Sequence, residues 1–584
     1  MALATKMPQQ QEIFRRRLPF VIGGLLFASA VLLWRLASFQ FQLTPEVATY
    51  FESLRDANYQ LTRQIAGARG YIYDRNGEPL AANALDYQIG ISPSLVSDPR
   101  LAAQQLAATL GLNELDVYNI LQLDEPWVSL ATRVSADVRQ QVDELDIYGI
   151  TINSLPRRSY PQGMLAAQVI GFVGGDLQGY YGVEGNYQAL LAGVMREREV
   201  SNIPFDVSEL DLEQDRGQDI ILTIDRNVQF VVEQELQRAI TETGAARGTI
   251  LVMDPRSGEI LAMASSPSFD PNAYFTVEDP DQLLNPAIAT PWEPGSIFHV
   301  LTVAAALERG TITAQWSYND QGTATYGGTE VLNWDRAAHG VVDVTQVLVQ
   351  SLNIGAAEIS TRMGPNDFYN MMDQFGMGGL TGIDLEGEVA ASMNVPGDSE
   401  WSEADLAINA FGQGITVTPI QLLAAYSAIA NDGLMMQPHV VASIVDGDRV
   451  IPSQPSALGR PISAETARTV TEMMVTVVRE GLDGAASVDG YTVAGKTGTA
   501  QIPTPIGYQA GVSIASFIGF LPADDPQLII LVKLDEPTEY FGNRVASPVF
   551  QRVAERLVIL LEIPTDDIRR ALAAQGGEVG AIQR

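Results

Sequence analysis

The chain has no cysteine and only three lysines, Lys6, Lys496 and Lys533, in 584 residues. The first absence excludes a disulfide framework and thiol catalysis. The second is part of a general shortage of positive charge, since 36 Lys and Arg face 70 Asp and Glu for a net charge of -34. That balance argues against a nucleic-acid partner, which needs clustered cations to hold phosphate, and against adhesion to anionic lipid through basic patches. Histidine is scarce too, and His299, His339 and His439 stand at spacings that suggest no metal site. No cofactor is indicated, and no period suggests a repeat array. What remains is a foldable composition, 46% hydrophobic and 18% charged, on a chain long enough for two or more cored domains.

One long apolar run stands near the N-terminus, LPFVIGGLLFASAVLLW from Leu18 to Trp34, preceded by Arg15, Arg16 and Arg17. Its length sits at the lower limit for a membrane-spanning helix. The arginines favour an N-terminus that stays in the cytoplasm, and Trp34 and Arg35 suit the far interface. A cleaved signal peptide is the rival, with Ala28-Ser29-Ala30 as its small-residue site, but the apolar run continues past that site. The expectation is an uncleaved single-pass anchor with the rest of the chain extracytoplasmic.

Residues from Ala37 to about Gln64 read as a polar, mostly helical stalk. The pattern then changes to short strands and turns, with Asn76-Gly77 between two apolar stretches as a hairpin signal. A second change falls near DRGQDIILTIDRNVQ, where a strand at Ile220–Ile224 leads through Asp225 into an amphipathic helix. GTILVMDP and GEILAMASS follow as two strands around an Asp254–Gly258 turn. The stretch from about Pro294 to Ala430 reads as helical. Strands return at TVAGKTGTAQ, SIASFIGFLP and LIILVKLDEP, before a closing helix at SPVFQRVAERLVILLE and a mobile tail from Asp566. The economical architecture is α+β, an antiparallel sheet built from both ends of the domain around a helical insert.

Three small motifs carry the chemistry. In EPGSIFHV, Ser296 follows a Pro-Gly turn at the mouth of a helix, and His299 three residues on shares its face. A serine beside a histidine is one way to make a nucleophile. Ser351-Leu352-Asn353 opens another helical stretch, and Lys496-Thr497-Gly498-Thr499 sits in a strand-like run. Each has a plainer reading: Ser296 as a helix N-cap, Asn353 as a local backbone bridge, Lys496 as a surface residue. Their order and separation favour the catalytic reading for all three.

In that combination the chain resembles the class B penicillin-binding proteins, D,D-transpeptidases that cross-link peptidoglycan. The resemblance runs from the anchor to about Pro564. It rests on ARGYIYDRNGEPLA, RRSYPQGMLAAQVIGFVG and YGVEGNYQALLAG in the first half. In the second it rests on LTIDRNVQ, GEILAMASSPSFDPN, EPGSIF, SLNIGAAEI, AFGQGITVTPIQLLAAYSAIANDG and VAGKTGTAQIP. SLN, GKTGTAQIP and ASPVF look more like the septal, cell-division branch than the elongation branch.

The resemblance implies a cytoplasmic tail (1–17), an anchor (18–36), a stalk (37–64), an elongated β-rich pedestal of the dimerisation type (65–214), a transpeptidase domain of the β-lactamase-like fold (215–564) and a C-terminal tail (565–584). It implies that Ser296 attacks the penultimate D-alanine carbonyl of a stem peptide to form an acyl-enzyme, which a neighbouring stem-peptide amine resolves. The backbone amides of Ser296 and Thr499 would form the oxyanion hole. Lys496 would supply positive charge, Thr497, Gly498 and Thr499 would line the carboxylate site, and Ser351 and Asn353 would complete the proton route. β-Lactams would acylate Ser296, and a polytopic cell-wall glycosyltransferase and division proteins would be partners.

The sequence departs from the family at His299, where a lysine is expected. An imidazole has a neutral form in abundance near neutral pH, but it is shorter and stiffer than the butylamine it replaces. A smaller departure is Pro286, where the family usually has arginine. Three hypotheses follow: a transpeptidase with His299 as general base, a pseudo-transpeptidase that activates a polymerase partner, and a β-lactam-hydrolysing or sensing relative.

Overall fold

The computed structural model describes residues 8–41, 60–201, 215–504 and 507–574. The helix Pro8–Phe41 contains one segment, Arg17–Ala37, long and apolar enough to cross a membrane, and its side chains from Arg17 to Ala37 are exposed. Most of the expected stalk lies outside the described residues. Its end is not helical: Gln60–Ala66 is a strand paired antiparallel with Met195–Ser201, a partner far away in sequence that no local pattern announces.

The C-terminal half is organised by a five-stranded sheet. We number its strands β1 (Arg247–Met253), β2 (Ile260–Ser266), β3 (Ala494–Thr504), β4 (Gly507–Leu521) and β5 (Leu528–Asp535). The spatial order is β2-β1-β5-β4-β3, antiparallel throughout, so both ends of the domain build it as expected. β5 is central and buried from Leu528 to Leu534, which is why LIILVKLD is nearly continuous in apolar residues. Along β1 the side chains alternate between two cores: Ile250 and Val252 meet the helices Arg226–Thr243 and Gly542–Leu560, and Leu251 and Met253 face the helical insert. Asp225 caps the first of these helices through the amides of Asn227 (2.8 Å) and Val228 (3.2 Å).

The expected strand at 220–224 is Asp219–Leu222, and it does not join this sheet. It runs parallel to Ile72–Tyr73 of the pedestal, in a seven-stranded sheet that also takes in Val441–Asp446 and Arg449–Pro452. The two modules therefore share one sheet across residue 215. The Asn76-Gly77 hairpin is present, with Gly77 at φ +85° joining Ile72–Tyr73 to Pro79–Ile91. Within the pedestal, Glu184 is wholly buried between Arg69 (2.6 Å) and Arg158 (2.7 Å).

Two further expectations are corrected. The stretch from Pro294 to Ala430 is not purely helical: Thr323–Tyr326 pairs with Thr329–Leu332, and Ser317–Asp320 with Gly340–Asp343. Gly327 and Gly328, at φ +53° and +86°, make the two-residue turn that closes the first hairpin. The first part of the expected tail is ordered, because Asp566–Ala574 is a helix with Asp566 and Arg569 buried, and residues 575–584 lie outside the described residues. Asp566 accepts from the amide and hydroxyl of Thr492 (2.8 and 2.6 Å), and Arg569 pairs with Asp524.

Candidate active site

Ser296 lies in a short 3-10 turn, Gly295–Phe298, that runs directly into the helix His299–Glu308. The helix is apolar all round and buried from His299 to Ala306, as a helix at the centre of a domain must be. Ser296 caps neither segment, which removes its plain reading, and it stays partly exposed while Ile297, Phe298 and His299 are buried. The carbonyl of Ile297 accepts from the buried Tyr426 hydroxyl at 2.5 Å, which fixes the turn from below.

Glycines bring this turn against strand β3. A Cβ on Gly498 would stand 2.4 Å from Ser516 Oγ and 3.1 Å from the Pro294 carbonyl oxygen. Gly295, at φ +60°, lies so close that its Cβ would be 3.0 Å from the Thr499 carbonyl oxygen. On the other side Gly295 donates its amide to Gly412 at 3.0 Å, where a Cβ on Gly412 would be 2.3 Å from Gly295 O. The serine turn is thus clamped between β3 and the FGQG loop.

The expected residues converge here. Lys496 is only 1% exposed, so it is no surface residue, and its Nζ donates to Ser351 Oγ at 2.9 Å and to the Thr497 carbonyl at 3.1 Å. Burial pushes its pKa down to about 7. Ser351 holds its position with φ +58°. Asn353 opens the helix Asn353–Met363 and donates to Leu332 O at 3.2 Å, so the hairpin unseen in the sequence is what positions it. Thr497 and Thr499 are partly exposed on β3, and Thr499 Oγ1 accepts from the amide of Gly542 at 3.0 Å.

His299 is different. It is wholly buried, and neither ring nitrogen has a hydrogen-bond partner, so no bond joins it to Ser296. Burial, and secondly the nearby Lys496 charge, hold its pKa well below the ordinary histidine value. The Asn353 amide beside the ring works the other way without reaching hydrogen-bond geometry. His339 and His439 lie in backbone-organised loops: His339 N donates to Asp320 (3.1 Å), and His439 N to Gly258 O (3.0 Å). Pro286 occupies the first turn of the helix Pro286–Ala289, capped by Asn285, a place where proline's missing N–H costs nothing.

One residue escaped attention although it stood in the quoted motif. Glu293 is buried, accepts from Gly414 N (3.0 Å) and from the Tyr508 hydroxyl (3.1 Å), and so ties the serine turn to both the FGQG loop and the tip of β4. Burial raises its pKa. The signal available was a lone acid directly before a Pro-Gly turn.

Comparison with known proteins identifies the family. A family model described as the penicillin binding protein transpeptidase domain matches residues 248–555, and one described as the penicillin-binding protein dimerisation domain matches 64–203. The chain is similar to stage V sporulation protein D of Bacillus subtilis, 34% identical over 92% of this chain and 84% of that one. It is also similar to the peptidoglycan D,D-transpeptidase FtsI of Escherichia coli K12, 30% identical over 97% and 96% of the two chains. Among solved structures it matches penicillin binding protein 3 of Mycobacterium tuberculosis in complex with aztreonam, at a TM-score of 0.67 and 30% identity, covering 86% of this chain and 98% of the other. The chain belongs to the class B penicillin-binding proteins, the peptidoglycan D,D-transpeptidase family, on its septal-type branch.

Proposed function

We propose that this protein is a membrane-anchored transpeptidase that cross-links peptidoglycan stem peptides through an acyl-enzyme on Ser296, in septal wall synthesis, and that β-lactams acylate the same serine. The observation that carries this reading is the contact of the partly exposed Ser296 turn with the strand that delivers Lys496 to Ser351. In it, Ser296 attacks the penultimate D-alanine carbonyl and expels the terminal D-alanine. The Ser296 and Thr499 amides face the developing oxyanion, and Thr497 and Thr499 receive the substrate carboxylate. The N-terminal segment would remain cytoplasmic and the two folded modules extracytoplasmic, in reach of a polytopic glycosyltransferase and division proteins.

A second reading, a scaffold that activates such a glycosyltransferase without acylating, is favoured by the unpartnered ring nitrogens of His299. Labelling of the full-length protein with a fluorescent penicillin separates the two. The transpeptidase reading expects a labelled native chain and an unlabelled Ser296→Ala variant. A native chain that stays dark while His299→Lys becomes labelled would leave only the scaffold.

A further inference from the structure

We propose that Lys496, acting through the Ser351 hydroxyl, is the general base that takes the Ser296 proton, and that His299 is a neutral space-filling neighbour in that step. This rests on Ser296 being the acyl acceptor, as above. Geometry separates the two candidates, because a base that works through a second hydroxyl must be hydrogen-bonded to it, and Lys496 is so bonded while His299 is not. Lys496 Nζ is aimed at Ser351 Oγ over 2.9 Å and steadied by the Thr497 carbonyl at 3.1 Å. Ser351 is held in the left-handed region, φ +58°, a strained conformation for a residue with a Cβ and one that clusters at functional sites. His299 offers no such line of approach, since both nitrogens are enclosed without a partner.

The surroundings of Lys496 favour its neutral form. Ile518 stands opposite it on β4. The helix Ala464–Gly481 turns Met474 and Val477 into the core on the same face as Ile518. His299 is the titratable group near it from the serine helix, and Asn353 adjoins that ring. Among the described residues no carboxylate pairs with Lys496. Its pKa of about 7 lies where a base is both unprotonated and strong enough to be effective, whereas His299, held well below its ordinary value, is unprotonated but weak.

The step balances without an outside reagent. As the bond from Ser296 Oγ to the carbonyl carbon forms, the Ser296 proton passes to Ser351 Oγ, and the Ser351 proton passes to the Lys496 amine. The ammonium returns a proton by the same route to the departing nitrogen when its bond to carbon breaks, whether in D-alanine or in an opening β-lactam.

The test is the rate at which a fluorescent penicillin acylates the full-length, detergent-solubilised protein across neutral pH, for the native chain, His299→Gln and Lys496→Arg. The native rate should rise with pH around a midpoint near 7. His299→Gln should keep that midpoint and lose at most about tenfold, while Lys496→Arg, charged throughout, should fall about 10²–10⁴-fold. A midpoint that moves or vanishes in His299→Gln, with a loss of that size, overturns the assignment; so does labelling that survives in Lys496→Arg. If Lys496→Arg does not fold, the His299→Gln profile alone decides. A native protein that is never labelled overturns the acyl-enzyme reading and the base assignment with it.

Discussion

In the pedestal, Glu184 is buried between two guanidinium groups, with Arg69 at 2.6 Å and Arg158 at 2.7 Å, and the Tyr160 hydroxyl at 3.4 Å. In the catalytic half, Lys496 is just as buried, yet it meets only a hydroxyl and a carbonyl. The first cluster sets a buried carboxylate against two guanidinium groups, and so holds together chain segments distant in sequence. The second leaves its amine uncompensated, and the penalty appears as a pKa lowered to about 7. Burial alone therefore does not identify a functional group; burial without a counter-charge does so far better.

The contrast can be broken most sharply in the pedestal. Glu184→Gln leaves two buried guanidinium groups facing a neutral amide and should cost about 3–5 kcal/mol of stability, read as a lower melting temperature, with penicillin acylation per folded molecule unchanged. Lys496→Met should do the reverse. Its apolar side chain fits an apolar setting, so stability at pH 7 should be raised by about 1–3 kcal/mol while acylation is lost. The sign follows from the lowered pKa: the folded state disfavours the ammonium, so native stability falls as pH drops from the unfolded lysine value near 10.5 towards 7. The advantage of Lys496→Met in melting temperature should accordingly shrink as pH is raised from 7 towards 10.

Gly412→Ala probes the clamp on the serine rather than the charge. A Cβ there meets Gly295 O at 2.3 Å, and the residue sits at φ +75°, so the Ser296 turn must shift. A displacement of that kind should slow acylation about 10–100-fold without moving the pH midpoint. The smallest effect is expected at the C-terminal helix, where Asp566→Ala removes the acceptor of Thr492 and a partner of Arg569. It should lower stability by about 1–2 kcal/mol and leave labelling intact.

The catalytic sheet and the three motifs were legible in the sequence because their signals are local. GTILVMDP and LIILVKLDEP read as strands, and Ser296, Ser351 and Lys496 stand in short, recognisable contexts. What escaped depends on partners far away in the chain. Gln60–Ala66 becomes a strand only because Met195–Ser201 lies beside it. DDIRRALAA becomes a docked helix because Asp566 finds Thr492 and Arg569 finds Asp524. The hairpin beneath Asn353 was hidden by strands of four residues each, although its Gly-Gly turn was visible. His299 was seen as the anomaly, but only the structure shows that its buried ring nitrogens have no hydrogen-bond partner.

The most direct test of Ser296 as acyl acceptor is to incubate the intact protein with penicillin, digest it and weigh the peptides. A penicilloyl adduct on the peptide containing Ser296, absent from Ser296→Ala, is the predicted result. An unmodified Ser296 peptide after prolonged exposure, or an adduct on another residue, would contradict it.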